Sequence, residues 1–129
     1  MFKRISYTSG KGRYRLYCRA FNTGDGLIVH LLGGTEPHVG SVALALPRSS
    51  LTGQGRSATT SVLTVLNHKD DELARPAATQ LAAAFNCPVA VIAGVHIDNA
   101  TPEEITLLAA RARRAISSII KIGIGRNQG

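Results

Sequence analysis

Residues 88–105 read PVAVIAGVHIDNATPEEI and carry the two clearest structural signals of the chain. The run VAVIAGV has the length and apolarity of a buried strand, although Gly94 interrupts it. Thr101 and Glu104 have the spacing of a helix capping box, and Pro102 occupies the first helical position, where its missing N–H is not needed. The stretch therefore predicts a buried strand, a short turn and the start of a helix.

Two helices are predicted late in the chain, because apolar residues recur with helical spacing. They are Leu73, Ala77, Leu81, Ala84 and Phe85 in one segment and Ile105, Leu108, Ala112, Ile116 and Ile119 in the other. The first helix is predicted over 68–85, with Asn67 as its N-cap and with Pro76 kinking it or delaying its start. In the second helix, Leu107 lies opposite the apolar stripe and can mark a subunit contact. Residues 123–129 are expected to fray.

Strands are predicted in the N-terminal half, where the period of two dominates. They cover residues 2–9, 13–21, 27–32, 41–46 and 57–66. In the second of these, Leu16, Cys18 and Ala20 alternate with basic and aromatic residues, so one side should face solvent. With the strand at 89–95, the sequence predicts one α+β domain over residues 1–129, built from a six-stranded, largely antiparallel mixed sheet and two late helices.

Composition limits the classes of function. The chain has 129 residues, with 15 Lys and Arg against 8 Asp and Glu, a net charge of +7 and a pI near 10.1, which favours an anionic partner. Aromatic residues are 5% with no Trp, so nucleic-acid binding by base stacking is not favoured. There is no apolar run long enough for a membrane span and no apolar signal-peptide core in the first fifteen residues. With only two cysteines, we expect a cytoplasmic protein.

Three polar segments are predicted to meet at one end of the sheet. They are GGTEPH at 33–38, NHKDD at 67–71 and HIDN at 96–99. If strands three, four and five run up, down and up through neighbouring positions, all three segments lie at the top, together with both helix N-termini. Helix N-termini attract phosphate and carboxylate groups, and ligands often bind where strands end beside helices. We therefore predict a ligand site at this end.

The same residues also have structural roles that need no ligand, and a metal site is an alternative use of them. The two glycines can serve a tight turn, and Asp70 can be a helix-start acid. His96 and Asp98 are two residues apart, so in a continuing strand they project from one face and can join other polar groups in a metal site with N and O ligands. The other groups are Glu36, His38 and His68. No diagnostic ligand spacing supports such a site, so we expect no metal, and no nucleophile motif predicts catalysis.

Three segments resemble a known family. They are LGGTEPHVGSVALALPRSSL at 32–51, SATTSVLTVLNHKDDELARP at 57–76 and PVAVIAGVHIDNATPEEI at 88–105. In amino-acid sequence and in their order along the chain, these segments are similar to the small bacterial proteins of the gallate decarboxylase D family, which are described as prenylated-flavin chaperones. The resemblance implies a fold like that of proteasome assembly chaperones, which pairs into homodimers. It also implies a non-catalytic protein that holds reduced prenylated flavin mononucleotide (FMN) and helps to load it into a decarboxylase.

The polar end of the sheet, taken with these motifs, predicts the residues that bind the cofactor. They are Gly34, Thr35, Glu36, His38, Arg48, Thr59, Thr60, His68, Lys69, Asp70, His96, Asp98 and Asn99. Lys69 or Arg48 can bind the phosphate, hydroxyl and amide groups can bind the ribityl chain, and histidines can contact the ring. Arg48 lies at the other end of the predicted sheet, so it can contribute only from a dimer partner or a folded-over loop.

Three alternatives differ in class. A small metal-assisted enzyme would use the histidines and carboxylates of the polar end. A nucleic-acid-binding protein would use the basic strands and would show a steep dependence on salt. A permanent accessory subunit of a decarboxylase would co-purify with it in fixed stoichiometry. No membrane partner is expected.

Overall fold

The structure is a computed structural model, and it describes residues 1–65 and 70–128. These residues form six strands and two helices, with a single 3-10 turn, Gly12–Tyr14, before the second strand. In chain order the elements are β1 (Arg4–Ser9), β2 (Leu16–Asn22), β3 (Leu27–Gly34), β4 (Ser41–Ser49), β5 (Arg56–Thr64), α1 (Asp71–Phe85), β6 (Val89–His96) and α2 (Pro102–Gln128).

The six strands form one mixed sheet in the order β1-β2-β3-β6-β4-β5. Strands β3 and β6 pair in parallel, and the other neighbouring pairs are antiparallel. The predicted fold class is therefore confirmed. The prediction that strands three and four lie next to each other is wrong, because β6 lies between β3 and β4. Both β3 and β6 are apolar along nearly their whole length, which suits the centre of a sheet.

The connection between β3 and β4 has to cross the end of β6. It passes over Gly94, where an added Cβ would collide with the carbonyl oxygen of His38. Gly40 then donates its N–H to the carbonyl oxygen of Ala93 at 2.9 Å, which ties the connection to β6 before β4 begins. The glycine that interrupts the apolar run is thus required by the close approach of another backbone segment.

Both helices lie on the same face of the sheet and form its core. α1 packs on β4, β5 and β6, whereas α2 packs on β1, β2 and α1. Alternate strand residues point into this layer and meet the apolar stripes of the helices. The largest fully buried side chains include Leu16, Val29, Leu31 and Val91 from the strands and Leu81, Ile116 and Ile119 from the helices. Phe2 and Phe85 meet edge to face at 5.4 Å between ring centroids and close the core near the C-terminal part of α2.

The opposite face of the sheet carries apolar side chains without a covering layer among the described residues. We call it the open face, and its apolar members are Ile28, Leu32, Val42, Leu44, Leu46, Leu63 and Ile92, which share one side by strand register. Leu44 and Leu46 are 48% and 50% exposed. The central strands are therefore apolar on both faces, although only one face is covered.

Several predicted helix boundaries differ from those observed. α2 continues to Gln128, so the prediction of fraying is wrong for residues 123–128, whereas Gly129 lies outside the described residues. Arg126 donates to the Arg4 carbonyl oxygen at 2.8 Å and holds this end against β1. α1 begins at Asp71, which is later than the predicted residue 68, and it includes Pro76. The predicted N-cap Asn67 lies outside the described residues, and Asp70 is the N-cap observed.

Other differences concern burial and strand ends. Ile105 is predicted in the core but is 59% exposed, and the apolar stripe of α2 becomes buried only from Leu108 onwards. β2 begins at Leu16 because the residues before it form the 3-10 turn, and β4 continues to Ser49 because it pairs with β5 as far as Arg56. Within residues 1–65 and 70–128, neither helix is long and apolar enough to cross a bilayer.

Candidate functional site

The adjacent ends of β3 and β6 are joined by backbone and side-chain hydrogen bonds. Thr35 donates its N–H to the carbonyl oxygen of His96 at 2.7 Å and its hydroxyl to the same oxygen at 3.2 Å. The Thr35 hydroxyl oxygen accepts the N–H of Asp98 at 3.1 Å. Gly34 has a φ of +81°, and a Cβ there would collide with the carbonyl oxygen of His96. A glycine is thus required for the two chain segments to come together.

The adjacent strand ends bring together three side chains that can ligate a metal ion. Glu36, His96 and Asp98 each offer one ligand atom, and these atoms lie within 4.8 Å of one another. The Nε2 atom of His96 is 3.1 Å from the Oδ1 atom of Asp98. All three side chains are exposed to solvent. We call this group the Glu36–His96–Asp98 cluster.

His38 and Asp70 form a second, more buried pair beside this cluster. His38 Nε2 is 3.1 Å from Asp70 Oδ2, and His38 Nδ1 faces the carbonyl oxygen of Glu36 at 2.9 Å. Both ring nitrogens thus lie within hydrogen-bond distance of an oxygen atom. Asp70 is only 5% exposed, and its Oδ1 atom accepts the N–H of Val95 at 2.9 Å. The His38 and His96 rings are 6.4 Å apart between centroids, which places the pair next to the cluster.

A cavity of about 440 Å³ lies between α1, α2 and the helix-covered face of the sheet. Its walls are mainly apolar, with Leu31, Leu73, Ala77, Val95, Leu108 and Ala112 among them. Polar groups are also part of its lining, and they include Asp70, Gln80, His96 and Arg113. Because His96 lines the cavity, the Glu36–His96–Asp98 cluster stands at its edge. The size lies within the range of about 300–1,000 Å³ that is usual for small-molecule sites.

The N-terminus of α2 is fixed by the predicted capping box and by a network that the sequence did not indicate. Thr101 donates its N–H to Glu104 Oε1 at 3.0 Å, and Glu104 donates its N–H to the Thr101 hydroxyl at 3.1 Å. The second carboxylate oxygen of Glu104 accepts the Tyr14 hydroxyl at 2.7 Å and lies 3.3 Å from Arg13 Nε. Arg13 also donates to the carbonyl oxygen of Asp98 at 2.9 Å. The basic segment before β2 thereby supports the β6–α2 connection.

These contacts shift two pKa values in opposite directions. The hydrogen bonds from Thr101 and Tyr14 lower the pKa of Glu104, and Arg13 adds to this effect. The hydrogen bond to Glu104 raises the pKa of Tyr14, with burial and the Glu104 charge acting in the same direction. Elsewhere, burial raises the pKa of the Cys18 thiol to about 12, so this cysteine is an unreactive core residue.

The predicted cofactor-binding residues fall into three groups. The structure brings Gly34, Thr35, Glu36, His38, Asp70, His96 and Asp98 together, and Asn99 follows them in a left-handed conformation with a φ of 52°. His68 and Lys69 lie outside the described residues. The others, Arg48, Thr59 and Thr60, do not join this group.

Arg48 lies at the far end of β4, seven residues from Ser41, which is roughly 23 Å at about 3.3 Å per residue. Its Nε atom donates to the Thr59 hydroxyl at 3.0 Å. Thr60 is hydrogen-bonded to Thr79 of α1 at 2.7 Å between hydroxyl oxygens. These three residues already have partners within the chain, and their role as ligands stays a prediction.

The cavity itself is not predicted from the sequence, and neither are Gln80 and Arg113 in its lining. The feature of the sequence that could have indicated the cavity is the number of small residues at positions where the two helices face each other. Ala77 on α1 and Ala109 and Ala112 on α2 line the cavity, and such short side chains leave space between helices. In a sequence, the apolar stripe of each helix indicates only core.

Comparison with known proteins identifies the family. The family model described as the prenylated flavin chaperone LpdD-like domain matches residues 10–123. The chain belongs to this family. The chaperone family predicted from the three sequence segments is therefore confirmed.

The fold also has a counterpart among solved structures. A chain from the crystal structure of a novel chaperone complex for yeast 20S proteasome assembly superposes with a TM-score of 0.59 and 15% sequence identity. The match covers 94% of this chain and 98% of the yeast chain. At this identity it shows a common fold, which confirms the predicted similarity to proteasome assembly chaperones. None of the curated proteins compared with the chain matches it.

Proposed function

We propose that this protein is a non-catalytic carrier that holds reduced prenylated FMN in the cavity between α1 and α2. In this proposal it delivers the cofactor to a decarboxylase that depends on it, in the cytoplasm. The observation that carries the proposal is the cavity of about 440 Å³, which has apolar walls and polar groups at its edge, in a chain of the prenylated flavin chaperone family. Buried, unpaired Cys18 and Cys87 are consistent with a reducing compartment.

The chemistry of the cavity fits the parts of this cofactor. A prenylated isoalloxazine ring system has a large apolar surface, and the walls formed by Leu31, Leu108 and Ala112 are apolar too. Arg113 lines the same cavity and can form charge-assisted hydrogen bonds to a phosphate. Gln80 and His96 supply groups for hydrogen bonds to the ribityl hydroxyls or the polar edge of the ring.

The site is open to solvent, which suits a protein that binds and releases a cofactor better than one that catalyses a reaction. Ile105 lines the cavity and is 59% exposed, so the cavity reaches the surface beside the first turns of α2. A carrier needs an exit of this kind, because its cargo must leave before the next protein can use it. Binding to exposed residues at a helix start also places the bound cofactor within reach of a partner protein.

A transfer experiment tests this proposal. Reduced prenylated FMN is bound to the protein under anaerobic conditions and mixed with a cofactor-free decarboxylase, and the decarboxylase activity that develops is followed. Ala109→Leu fills the cavity, whereas Ala110→Leu changes the neighbouring residue, which does not line it. We expect activation by the parent protein and by Ala110→Leu, and little by Ala109→Leu. Equal activation by all three, or by free cofactor at the same rate, would overturn the proposal.

We also propose that the protein is a homodimer whose two copies meet through the open face. Apolar side chains cover the middle of this face, and Leu44, Leu46 and Leu63 are 48%, 50% and 79% exposed. Contiguous exposed apolar patches of this kind usually mark an interaction surface. A second copy is the occupant we favour, because a two-fold axis lets one patch cover itself and requires no other protein.

The oligomeric state of two variants tests this arrangement. Leu44→Glu puts a charge in the middle of the open face, and Leu107→Glu puts one on the exposed side of α2, the alternative contact surface. Measured by sedimentation or light scattering, Leu44→Glu should be monomeric and Leu107→Glu dimeric. The reverse result would place the contact on α2, and a monomeric parent protein would contradict the dimer.

We propose that the decarboxylase binds the basic residues in β2 and just before it. These also lie on the open face, but β3 and β6 separate them from the patch of exposed leucines on β4 and β5 that a second copy would cover. Arg15 and Arg19 flank the ring of Tyr17 at 5.9 and 5.5 Å from its centroid, and both are exposed. The net charge of +7 favours a partner with an acidic surface. Charge reversal at Arg15 and Arg19 should slow cofactor transfer at low salt, without changing cofactor binding. An unchanged transfer rate would exclude this surface.

A further inference from the structure

The carboxylates of the Glu36–His96–Asp98 cluster have an unusual setting in this basic protein. Among residues 1–65 and 70–128, no lysine or arginine forms an ion pair with the Glu36 or Asp98 carboxylate. Arg13 is close, but it donates to the backbone oxygen of Asp98 and pairs with Glu104 instead. Two carboxylates this close repel each other and any anion that enters the adjacent cavity.

We propose that Glu36, His96 and Asp98 bind one divalent transition-metal ion at the edge of the cavity. One imidazole nitrogen and two carboxylate oxygens form a donor set that suits Mn²⁺, Fe²⁺, Co²⁺ or Zn²⁺. Ligands about 2.1 Å from one ion lie at most about 4.2 Å apart, so the present spread of up to 4.8 Å needs only small rotations. The three side chains are exposed and can make them.

The backbone around the cluster already holds the ligands in place. Thr35 fixes the β3 side to His96 and Asp98 through its backbone N–H and its hydroxyl. Arg13 holds the carbonyl oxygen of Asp98 from the other side. A metal ion can therefore bind with little loss of backbone entropy, which distinguishes the cluster from carboxylates on a mobile surface loop.

A metal ion at this position would also change what the cavity can accept. Three protein ligands leave coordination positions open, and His96 belongs both to the cluster and to the cavity lining. The ion would convert a locally negative edge into one that binds a phosphate oxygen. This second step rests on the proposed function, because it requires a cargo with a phosphate group, whereas binding of the ion itself does not.

Binding of Mn²⁺ to the chelator-treated full-length protein tests the site. Mn²⁺ is the probe because it favours O and N ligands and binds poorly to thiols, and free Mn²⁺ can be measured by electron paramagnetic resonance. We expect one ion per chain and at least a tenfold loss of affinity in Glu36→Gln, His96→Gln and Asp98→Asn. Glu103→Gln removes an exposed carboxylate outside the cluster, and this variant should bind Mn²⁺ with the affinity of the parent protein. Circular dichroism checks that each variant is folded.

Three outcomes decide the proposal. Absence of saturable Mn²⁺ binding up to millimolar concentration, or an equal loss of affinity in Glu103→Gln, overturns the metal site. If Mn²⁺ binds but the affinity for reduced prenylated FMN is the same with Mn²⁺ and with chelator, the bridging role is wrong and the site stands. If Mn²⁺ binds and no flavin binds under either condition, the proposed carrier function fails while the metal site remains.

Discussion

The Nε2 atom of His38 lies 3.1 Å from the Oδ2 atom of Asp70, and this contact joins the β3–β4 connection to the start of α1. The other oxygen of the same carboxylate accepts the N–H of Val95, near the end of β6. One buried carboxylate thus holds three chain segments that are distant in sequence. The arrangement of the polar end depends on it, although Asp70 is not in the exposed Glu36–His96–Asp98 cluster.

Replacing Asp70 by alanine should lower the free energy of unfolding. The Val95 N–H loses its side-chain acceptor and His38 loses its contact with Asp70, and leaving a buried polar group unsatisfied costs about 1–3 kcal/mol. Urea unfolding of Asp70→Ala measures the change. Glu72→Ala is the matched control, because Glu72 is an exposed carboxylate in the first turn of the same helix. An equal loss in both variants would contradict the role assigned to Asp70.

Gly94→Ala should destabilise the protein, because the new Cβ collides with the backbone of His38 where the β3–β4 connection crosses β6. Overpacking of this kind costs about 1–3 kcal/mol. Gly125→Ala should have the opposite sign. Gly125 is in α2 with no atom within 4 Å of an added Cβ, so alanine should stabilise the helix by about 0.5–1 kcal/mol. Unfolding curves that show the same sign for both changes would be inconsistent with this crossing.

The Glu104 network should make stability depend on pH in the acid range. The folded-state pKa of Glu104 is below its usual value of about 4.3, so its contribution is present above that pH and is lost as pH falls through the lowered pKa. The difference in melting temperature between the parent protein and Glu104→Gln should therefore be largest near neutral pH and shrink below about pH 4. A difference that does not change with pH would show that the charge of Glu104 contributes nothing.

Tyr14 should give the opposite dependence at high pH. Its pKa is raised above about 10, so the stability it contributes is present below that pH and is lost as pH rises through the higher folded value. The difference between the tyrosinate absorbance titrations of the parent protein and of Tyr14→Phe reports the ionisation of Tyr14, and its midpoint should lie above about pH 10. If the two titrations differ only in amplitude and not in shape, the hydrogen bond to Glu104 is not holding the proton.

Most elements can be predicted from the sequence, because periodicity and capping depend on nearby residues. Thr101 and Glu104 form the predicted capping box, and the alternation around Cys18 matches its burial on the helix side of β2. Strand order is harder to predict, because it depends on contacts between distant segments. The insertion of β6 between β3 and β4 is visible in the sequence only as Gly94, and a glycine within a strand can serve several structural roles.

The polar end of the sheet can be predicted because strand direction alone determines it. Strands that run in the same direction end at the same edge of the sheet, and this holds for β3 and β6 whatever their order. Gly34 and His96 lie side by side because the two strands are also neighbours. The cavity cannot be predicted in this way. It depends on how far α1 and α2 stand apart, and that distance is set by side-chain packing rather than by the pattern of either helix. The sequence indicates Asp70 only as a helix-start acid, whereas the folded chain shows its contacts with His38 and Val95.

The decisive test of carriage is an anaerobic binding titration of the purified protein with reduced prenylated FMN, compared with ordinary FMN. Absorbance and heat follow the binding, and Ala109→Leu and Ala110→Leu report whether the cavity is the site. We expect saturable binding of one prenylated cofactor per chain, much weaker binding of ordinary FMN, and loss of binding only in Ala109→Leu. Absence of saturable binding, or equal affinity for the two flavins, would contradict the carrier function.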